Sequence, residues 1–376
     1  MAQQETVAWI TVFSHTLYES FFTSFARRYG TPKLTMILAE RYRGKVSASR
    51  EYEVQCAAYS EPIRVTGLGY FRNLGTVLHT LHPSAIIVNL YYSLPALQAY
   101  WFARKEGVPL YISAEEDGYR NIGQRIFFPL WDMTMGKAIL SYATAVLCWS
   151  KGTCLFMERI ADKEKIVYFP ASIDVQECGL PQIKNSKKEE GVRLILPARL
   201  VPVKNHALLL KALTIVRDKY RVPFHLALLG DGPLRSTIEE LVAEYKLEQS
   251  VEMCGNVSRE EVLSSYGEYD ALVLPGRHET IGFVVLEAMA HGIPAIVSDT
   301  LGARDFIEDG ISGLLFQSGN AEDLAEKIAT MARVDTRRMG VQARLRVEQR
   351  FDTQKQSQTL YETLLGKGGG IIFSKK

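Results

Sequence analysis

One alternation runs through this sequence: short apolar runs rich in Val, Ile and Leu, separated by segments long enough to hold a helix. The first half reads as strands at "VAWITVF" (7–13), "LTMIL" (34–38), "SAIIVNL" (84–90), "PLYISA" (109–114), "TAVLCWS" (144–150) and "KIVYFP" (165–170). Parallel strands need a crossover of a dozen or more residues between them, so this rhythm predicts parallel sheets covered by helices. The polar stretch "LPQIKNSKKEEG" (180–191) interrupts it, and it restarts with "VRLILPA" (192–198), "FHLALLG" (224–230), "SVEMCG" (250–255), "DALVLPG" (270–276), "IPAIVSD" (293–299) and "SGLLFQ" (312–317). The expectation is an α/β chain of two Rossmann-like, doubly wound halves facing a cleft. We place the N-terminal domain at 1–180, a linker at 181–190 and the C-terminal domain at 191–345. A last segment, 346–376, is expected to carry a helix crossing back to the first half and a loose tail, "GKGGGIIFSKK". Ligands of such sheets bind outside the carboxyl ends of the strands, so the loops after these runs are where chemistry is to be sought.

Composition narrows the function classes. The chain has 376 residues, 47% apolar and 23% charged, enough for two cores. Its formal charge is +2, spread evenly: 18 basic and 16 acidic side chains precede residue 180, and 26 of each follow. Neither half is charged for nucleic acid. Five cysteines (Cys56, Cys148, Cys154, Cys178, Cys254) form no Cys-x-x-Cys pair and mostly adjoin apolar residues, which points to buried, reduced thiols in the cytoplasm. "MAQQETVAWITVF" lacks the basic and apolar regions of a signal peptide, and no apolar stretch approaches about 20 residues, so membrane contact would be peripheral, on the inner face. One basic concentration stands out: residues 27–50 hold Arg27, Arg28, Lys33, Arg41, Arg43, Lys45 and Arg50 against Glu40 alone. It suits an anionic lipid surface or an anionic acceptor, and equally a solvated face.

The chemistry concentrates in "RHETIGFVVLEAMAHGIP" (277–294). A strand ends at "RHET", and a helix is expected from about Gly282, whose terminal N–H groups and dipole make an anion site that a missing Cβ would let a phosphate approach. Glu279 precedes that helix and Glu287 lies inside its apolar run. A carboxylate among Val285, Leu286, Ala288 and Met289 is costly unless something hydrogen-bonds it; either a ligand does, or it is a solvated residue or the partner of a structural lysine. In "PARLVPVKNHALLLKAL", Arg199 and Lys204 flank Pro202 in a strand-to-helix loop, where two cations would neutralise a departing diphosphate, although basic loop residues are commonplace. "LLGDGPLR" puts Gly230, Asp231 and Gly232 at a strand end, which is a nucleotide approach or simply a tight turn, and lacks the third glycine of a dinucleotide fingerprint. No Asp-x-Asp pair is present, and His278 and His291 are not at metal-ligand spacing.

The run "PGRHETIGFVVLEAMAHGIPAIVSDTLGARDFIEDGISGLLF", with "ARLVPVKNH", "LLGDGP" and "VEMCGNVSREEV" before it in order, resembles the donor-site signature of the retaining glycosyltransferases of family four, the group 1 enzymes of GT-B fold. The likeness is strong over 190–345 and weaker before residue 140. It implies that Glu287 contacts the ribose of a nucleoside-diphosphate sugar, Glu279 the transferred sugar, and Arg199 and Lys204 the diphosphate. Thr280, Ile281, Gly282 and Phe283 would line the phosphates or sugar, with Gly230, Asp231, Gly255 and Asn256 around the nucleotide. It further implies a UDP- or GDP-sugar donor, no metal or other cofactor, a hydroxyl acceptor (glycan, lipid-linked or small molecule) held by the N-terminal domain, and a role in surface polysaccharide or glycoconjugate synthesis.

Two departures matter. The first strand leads into "FSHTLYES" rather than a glycine-rich loop, and "PLYIS" leads into "AEEDGYR", where many members have a histidine that helps hold the donor sugar. Glu115, Glu116 or, foremost, Asp117 takes that role, or the turn is merely solvated; His15 is a further candidate from the first loop. The alternatives are a sugar-nucleotide epimerase on the same fold and a non-catalytic sugar-nucleotide-binding subunit.

Overall fold

A computed structural model describes residues 5–11, 19–39, 52–58, 69–115, 131–178 and 191–366. The chain divides into two compact units, Met1–Asp174 together with Thr353–Lys376, and Val175–Asp352.

The N-terminal unit is built on β1 (Thr6–Thr11), β2 (Lys33–Ala39), β3 (Glu53–Ala57), β4 (Ala85–Asn89), β5 (Leu110–Ala114), β6 (Ala145–Cys148) and β7 (Ile166–Tyr168). They form one sheet in the order β3-β2-β1-β4-β5-β6-β7, every pair parallel. Strands β1, β4, β5 and β6 are almost wholly buried, which is why they read as unbroken apolar runs. Strand β3, "EVQCA", is a seventh strand that the sequence reading did not place. It lies at the sheet edge, half-buried over most of its length, so it carries polar residues where the central strands cannot. Trp9 on β1 is fully buried, its ring against Phe21 and Phe22 of the Glu19–Tyr29 helix.

The C-terminal unit carries β8 (Val192–Pro197), β9 (Phe224–Leu229), β10 (Val251–Gly255), β11 (Ala271–Leu274), β12 (Ala295–Ser298) and β13 (Gly313–Phe316), again all parallel, in the order β10-β9-β8-β11-β12-β13. The order reverses between β8 and β11. The loops that leave the two strands at such a reversal are the place where doubly wound sheets take ligands.

The end of the chain departs from the expected single helix. Thr336–Arg350 belongs to the C-terminal unit and packs on the Phe283–Ala290 helix; Gly340 allows the approach, since a Cβ there would lie 1.9 Å from the carbonyl oxygen of Gly292. After Phe351 and Asp352 a second helix, Thr353–Leu364, joins the N-terminal unit. There the Thr353 N–H donates to the Ile173 carbonyl (3.1 Å), and Tyr361 stacks on Tyr29 with centroids 4.1 Å apart. The change of unit falls after Asp352, not at 345, because two short apolar faces, each serving a different core, replace one long one. The expected linker, 181–190, lies outside the described residues.

The cysteines correct a second expectation. Cys148 and Cys154 are buried, but Cys56 and Cys178 are half-buried and Cys254 is exposed. Strand β10 is the other edge of its sheet, and the two-residue period turns Glu252 and Cys254 together to solvent. No described helix is long and apolar enough to cross a membrane.

Candidate functional site

The loop after β8 is fastened to the loop after β11. Residues 198–201 lead into one short helical turn, Pro202–Lys204, then Asn205 in the left-handed region (φ 56°), then the helix His206–Ile215. Buried Asn205 donates from Nδ2 to the Pro275 carbonyl (3.3 Å), and the Arg277 N–H donates to the Val203 carbonyl (2.9 Å). These ties bring Lys204 onto Glu279, 75 positions away: Nζ donates to Oε2 in an ion pair whose side chains are 22% and 23% exposed. Arg199 stands exposed on the same loop.

Glu279 opens the turn that feeds the Phe283–Ala290 helix. The turn sits on the segment after β12: the Gly302 N–H donates to the Glu279 carbonyl (2.8 Å), and a Cβ on Gly302 would fall 1.7 Å from the Thr280 carbonyl oxygen. Gly282, the residue before the helix, has φ 76°, and a Cβ there would lie 2.7 Å from that of Ala303. Its glycine is therefore demanded by backbone conformation and by Ala303 rather than by room for a phosphate, which corrects the sequence reading. Val285 donates back to the Gly282 carbonyl (2.9 Å). The N–H groups ahead of it have no intrahelical acceptor, so the helix start keeps its anion-binding character.

Glu287 is 7% exposed. What satisfies it is Arg259, the first residue of the helix Arg259–Ser265 that follows β10: Nε donates to Oε1 at 2.9 Å, and Nη2 lies 2.8 Å from the same oxygen. That helix is held at its start by a reciprocal cap between Ser258 and Glu261. The cationic partner is thus an arginine, not the lysine weighed above. Next to it, the phenol of buried Tyr266 is pushed well up by burial and, secondarily, by the charge of Glu287.

The Gly230–Gly232 turn resolves in favour of tight packing. A Cβ on Gly230 (φ 145°) would meet the Ala198 carbonyl oxygen at 2.2 Å, and one on Gly232 the Leu200 carbonyl oxygen at 2.6 Å. The Gly230 N–H donates to the Gly255 carbonyl (2.7 Å), and the Leu200 N–H to the Asp231 carbonyl (3.1 Å). These bonds lash together the ends of β8, β9 and β10. Asp231 receives the Gly232 N–H on Oδ1 (2.7 Å), and Asn256 is exposed beyond Gly255. Arg199, Lys204, Glu279, the helix start that leads to Glu287, and the glycine turns therefore all follow the carboxyl ends of strands of one sheet.

His206 went unnoticed in the sequence beyond its place in "KNH". It is 2% exposed, neither ring nitrogen has a hydrogen-bond partner among the described residues, and burial, with the nearby Lys204 charge, lowers its pKa to about 4. Arg259 was also missed, and its position in "VSREEV" gave no signal that it would meet Glu287.

The remaining expected residues fall in the first half of the sequence. His15, Asp117 and Glu116 lie outside the described residues. Glu115, at the end of β5, accepts a hydrogen bond from Asn89 Nδ2 (2.6 Å), whose Oδ1 takes the Trp9 indole N–H (2.8 Å). Of the basic stretch 27–50, residues 40–50 are outside the described set, and Lys33 is paired with Glu53 at 2.8 Å. Among the described residues no cluster of three or more His, Cys, Asp or Glu is placed to hold a metal ion.

Two parallel doubly wound sheets of this order define the GT-B fold. Anabaena HepE, solved with UDP and glucose, superposes with a TM-score of 0.72 at 18% identity, over 96% of this chain and 100% of that one. Residues 181–345 match the family model described as glycosyl transferases group 1. The likeness to that family lies in this region, which is less than half of the chain. The chain is 29% identical over 241 residues to EpsF of Bacillus subtilis, assigned as a glycosyltransferase, covering 61% of each chain. It is 30% identical over 212 residues to WcaL of Salmonella typhimurium, assigned to colanic acid biosynthesis, covering 52% of each. The matches thus span less than two thirds of these curated relatives.

Proposed function

We propose that this protein transfers a glycosyl unit from a nucleoside-diphosphate sugar to a hydroxyl acceptor in the synthesis of a surface polysaccharide or glycoconjugate. The observation that carries this reading is the ion pair between Lys204 and Glu279 at the start of the Phe283–Ala290 helix, with Glu287 a further turn along it. A cation for diphosphate, a carboxylate for sugar hydroxyls, a helix start for phosphate oxygens and a second carboxylate for ribose suit a sugar nucleotide in sequence. In this reading the anomeric carbon's bond to the phosphate oxygen breaks as the acceptor oxygen bonds to the same face. The acceptor's proton passes to the leaving phosphate, so the configuration is retained and no protein nucleophile is used. Lys204, Arg199 and the helix N–H groups stabilise the departing diphosphate without a metal. The names of EpsF and WcaL, and the UDP and glucose of HepE, support a polysaccharide setting and a UDP-sugar among the candidate donors. Arg27 and Arg28 in the last turn of the Glu19–Tyr29 helix leave room for contact with an anionic membrane at the N-terminal unit.

The test is a thermal-shift screen with UDP, GDP, ADP and TDP, alone and with their common sugars, in EDTA. A ligand at about a hundred times its dissociation constant adds roughly 2.7 kcal/mol, a visible shift. Stabilisation by one nucleotide in EDTA is expected; none with any nucleotide sinks the donor site. Glu279→Gln should abolish turnover while largely keeping nucleotide binding, whereas Glu287→Ala should weaken binding itself.

A further inference from the structure

Glu287 is satisfied on one side only. Both Arg259 contacts fall on Oε1, at 2.9 and 2.8 Å, while Oε2 receives no hydrogen bond from the described residues and is not sealed from solvent, although the residue as a whole is 7% exposed. Arg259 itself lies on the surface, with 71% of its side chain exposed. The Nε hydrogen bond, with Nη2 close to the same oxygen, anchors Oε1, and the other oxygen is left as an acceptor.

We propose that Arg259 is a positioning residue that holds Glu287 with Oε2 presented to the ribose hydroxyls of the donor nucleotide, and so sets the preference for ribose over deoxyribose. This rests on the reading of Glu287 as the ribose-binding carboxylate. Without Arg259 the carboxylate keeps its burial but loses the partner that orients it. It can then turn away from the hydroxyls, which removes acceptor capacity from that point in the site. The diphosphate and sugar contacts, which lie at Lys204, Arg199 and the helix start, remain.

The measurement is titration calorimetry on the full chain with UDP, GDP and ADP, each against its 2′,3′-dideoxy counterpart, for the native protein, Arg259→Ala and Arg259→Lys. The native protein should prefer the ribonucleotide. In Arg259→Ala that preference should shrink by about tenfold, the size of a hydrogen bond to a charged group, and Arg259→Lys should restore part of it. A merely structural role would weaken ribo and dideoxy forms alike and leave their ratio intact. An unchanged ratio in Arg259→Ala therefore overturns the proposal alone. A native protein that binds nucleotide without preferring ribose overturns the Glu287 reading and this proposal with it, and one that binds no nucleotide overturns the donor site altogether.

Discussion

At the scale of single residues, the site is held by contacts in which one atom leaves little room for another. The Gly302 hydrogen faces the Thr280 carbonyl, and a Cβ in its place would sit 1.7 Å from that oxygen. Gly302→Ala must push back the turn that carries Glu279; it should cost about 2 kcal/mol or more and lower nucleotide affinity as well, which chemical unfolding and calorimetry on the same sample would report. His206 makes a prediction with a sign. Its folded pKa, about 4, is below the ordinary 6.5, so the unfolded chain binds the extra proton first. The stability associated with neutral His206 is full above about pH 6.5 and falls as the pH drops towards 4, by on the order of 3 kcal/mol across that window. Hydrogen exchange of the His206–Ile215 backbone, followed from pH 7 to 4, should speed up beyond its intrinsic pH dependence, and His206→Leu should remove that limb. An identical profile in the variant would show that the histidine is not the titrating group.

At the scale of elements, the Phe283–Ala290 helix is formed of strong helix formers and residues that must be buried, and it stops where Gly292 takes φ 76° ahead of Pro294. Its composition made it legible in the sequence, Glu287 included. The break at Phe351 and Asp352 was not legible, because Thr336–Arg350 and Thr353–Leu364 are both good helical sequence and only their separate packing partners divide them. The second of these helices anchors the end of the chain through fully buried Leu360 and the stack of Tyr361 on Tyr29. Leu360→Ala should destabilise the N-terminal unit by about 3 kcal/mol, the usual cost of such a cavity. The four tryptophans, Trp9, Trp101, Trp131 and Trp149, all lie in that unit, so the loss should appear as a lower denaturant midpoint in tryptophan emission while nucleotide affinity stays within about twofold. A matching fall in nucleotide affinity would place the helix's contribution elsewhere.

At the scale of the molecule, each of the two units has its own parallel sheet, and the described residues of the proposed donor site come from one of them. Bound UDP or GDP should therefore slow hydrogen exchange in 198–205 and 276–290 first; protection confined to the N-terminal unit would contradict the assignment. The sequence by itself determined the fold class, the approximate place of twelve strands and the two loops that carry Lys204 and Glu279, because apolar run length and crossover spacing are local properties of a chain. It determined less at sheet edges, where β3 and Cys254 follow a half-buried pattern that composition does not mark. Only the tertiary structure decided that Lys204 meets Glu279, that Arg259 meets Glu287, that Gly230 and Gly282 yield space to neighbouring protein atoms, and that His206 is buried without a hydrogen-bond partner among the described residues. Those outcomes depend on which strand ends the sheet order sets side by side, and residues 28 or 75 positions apart carry no local signal of that adjacency.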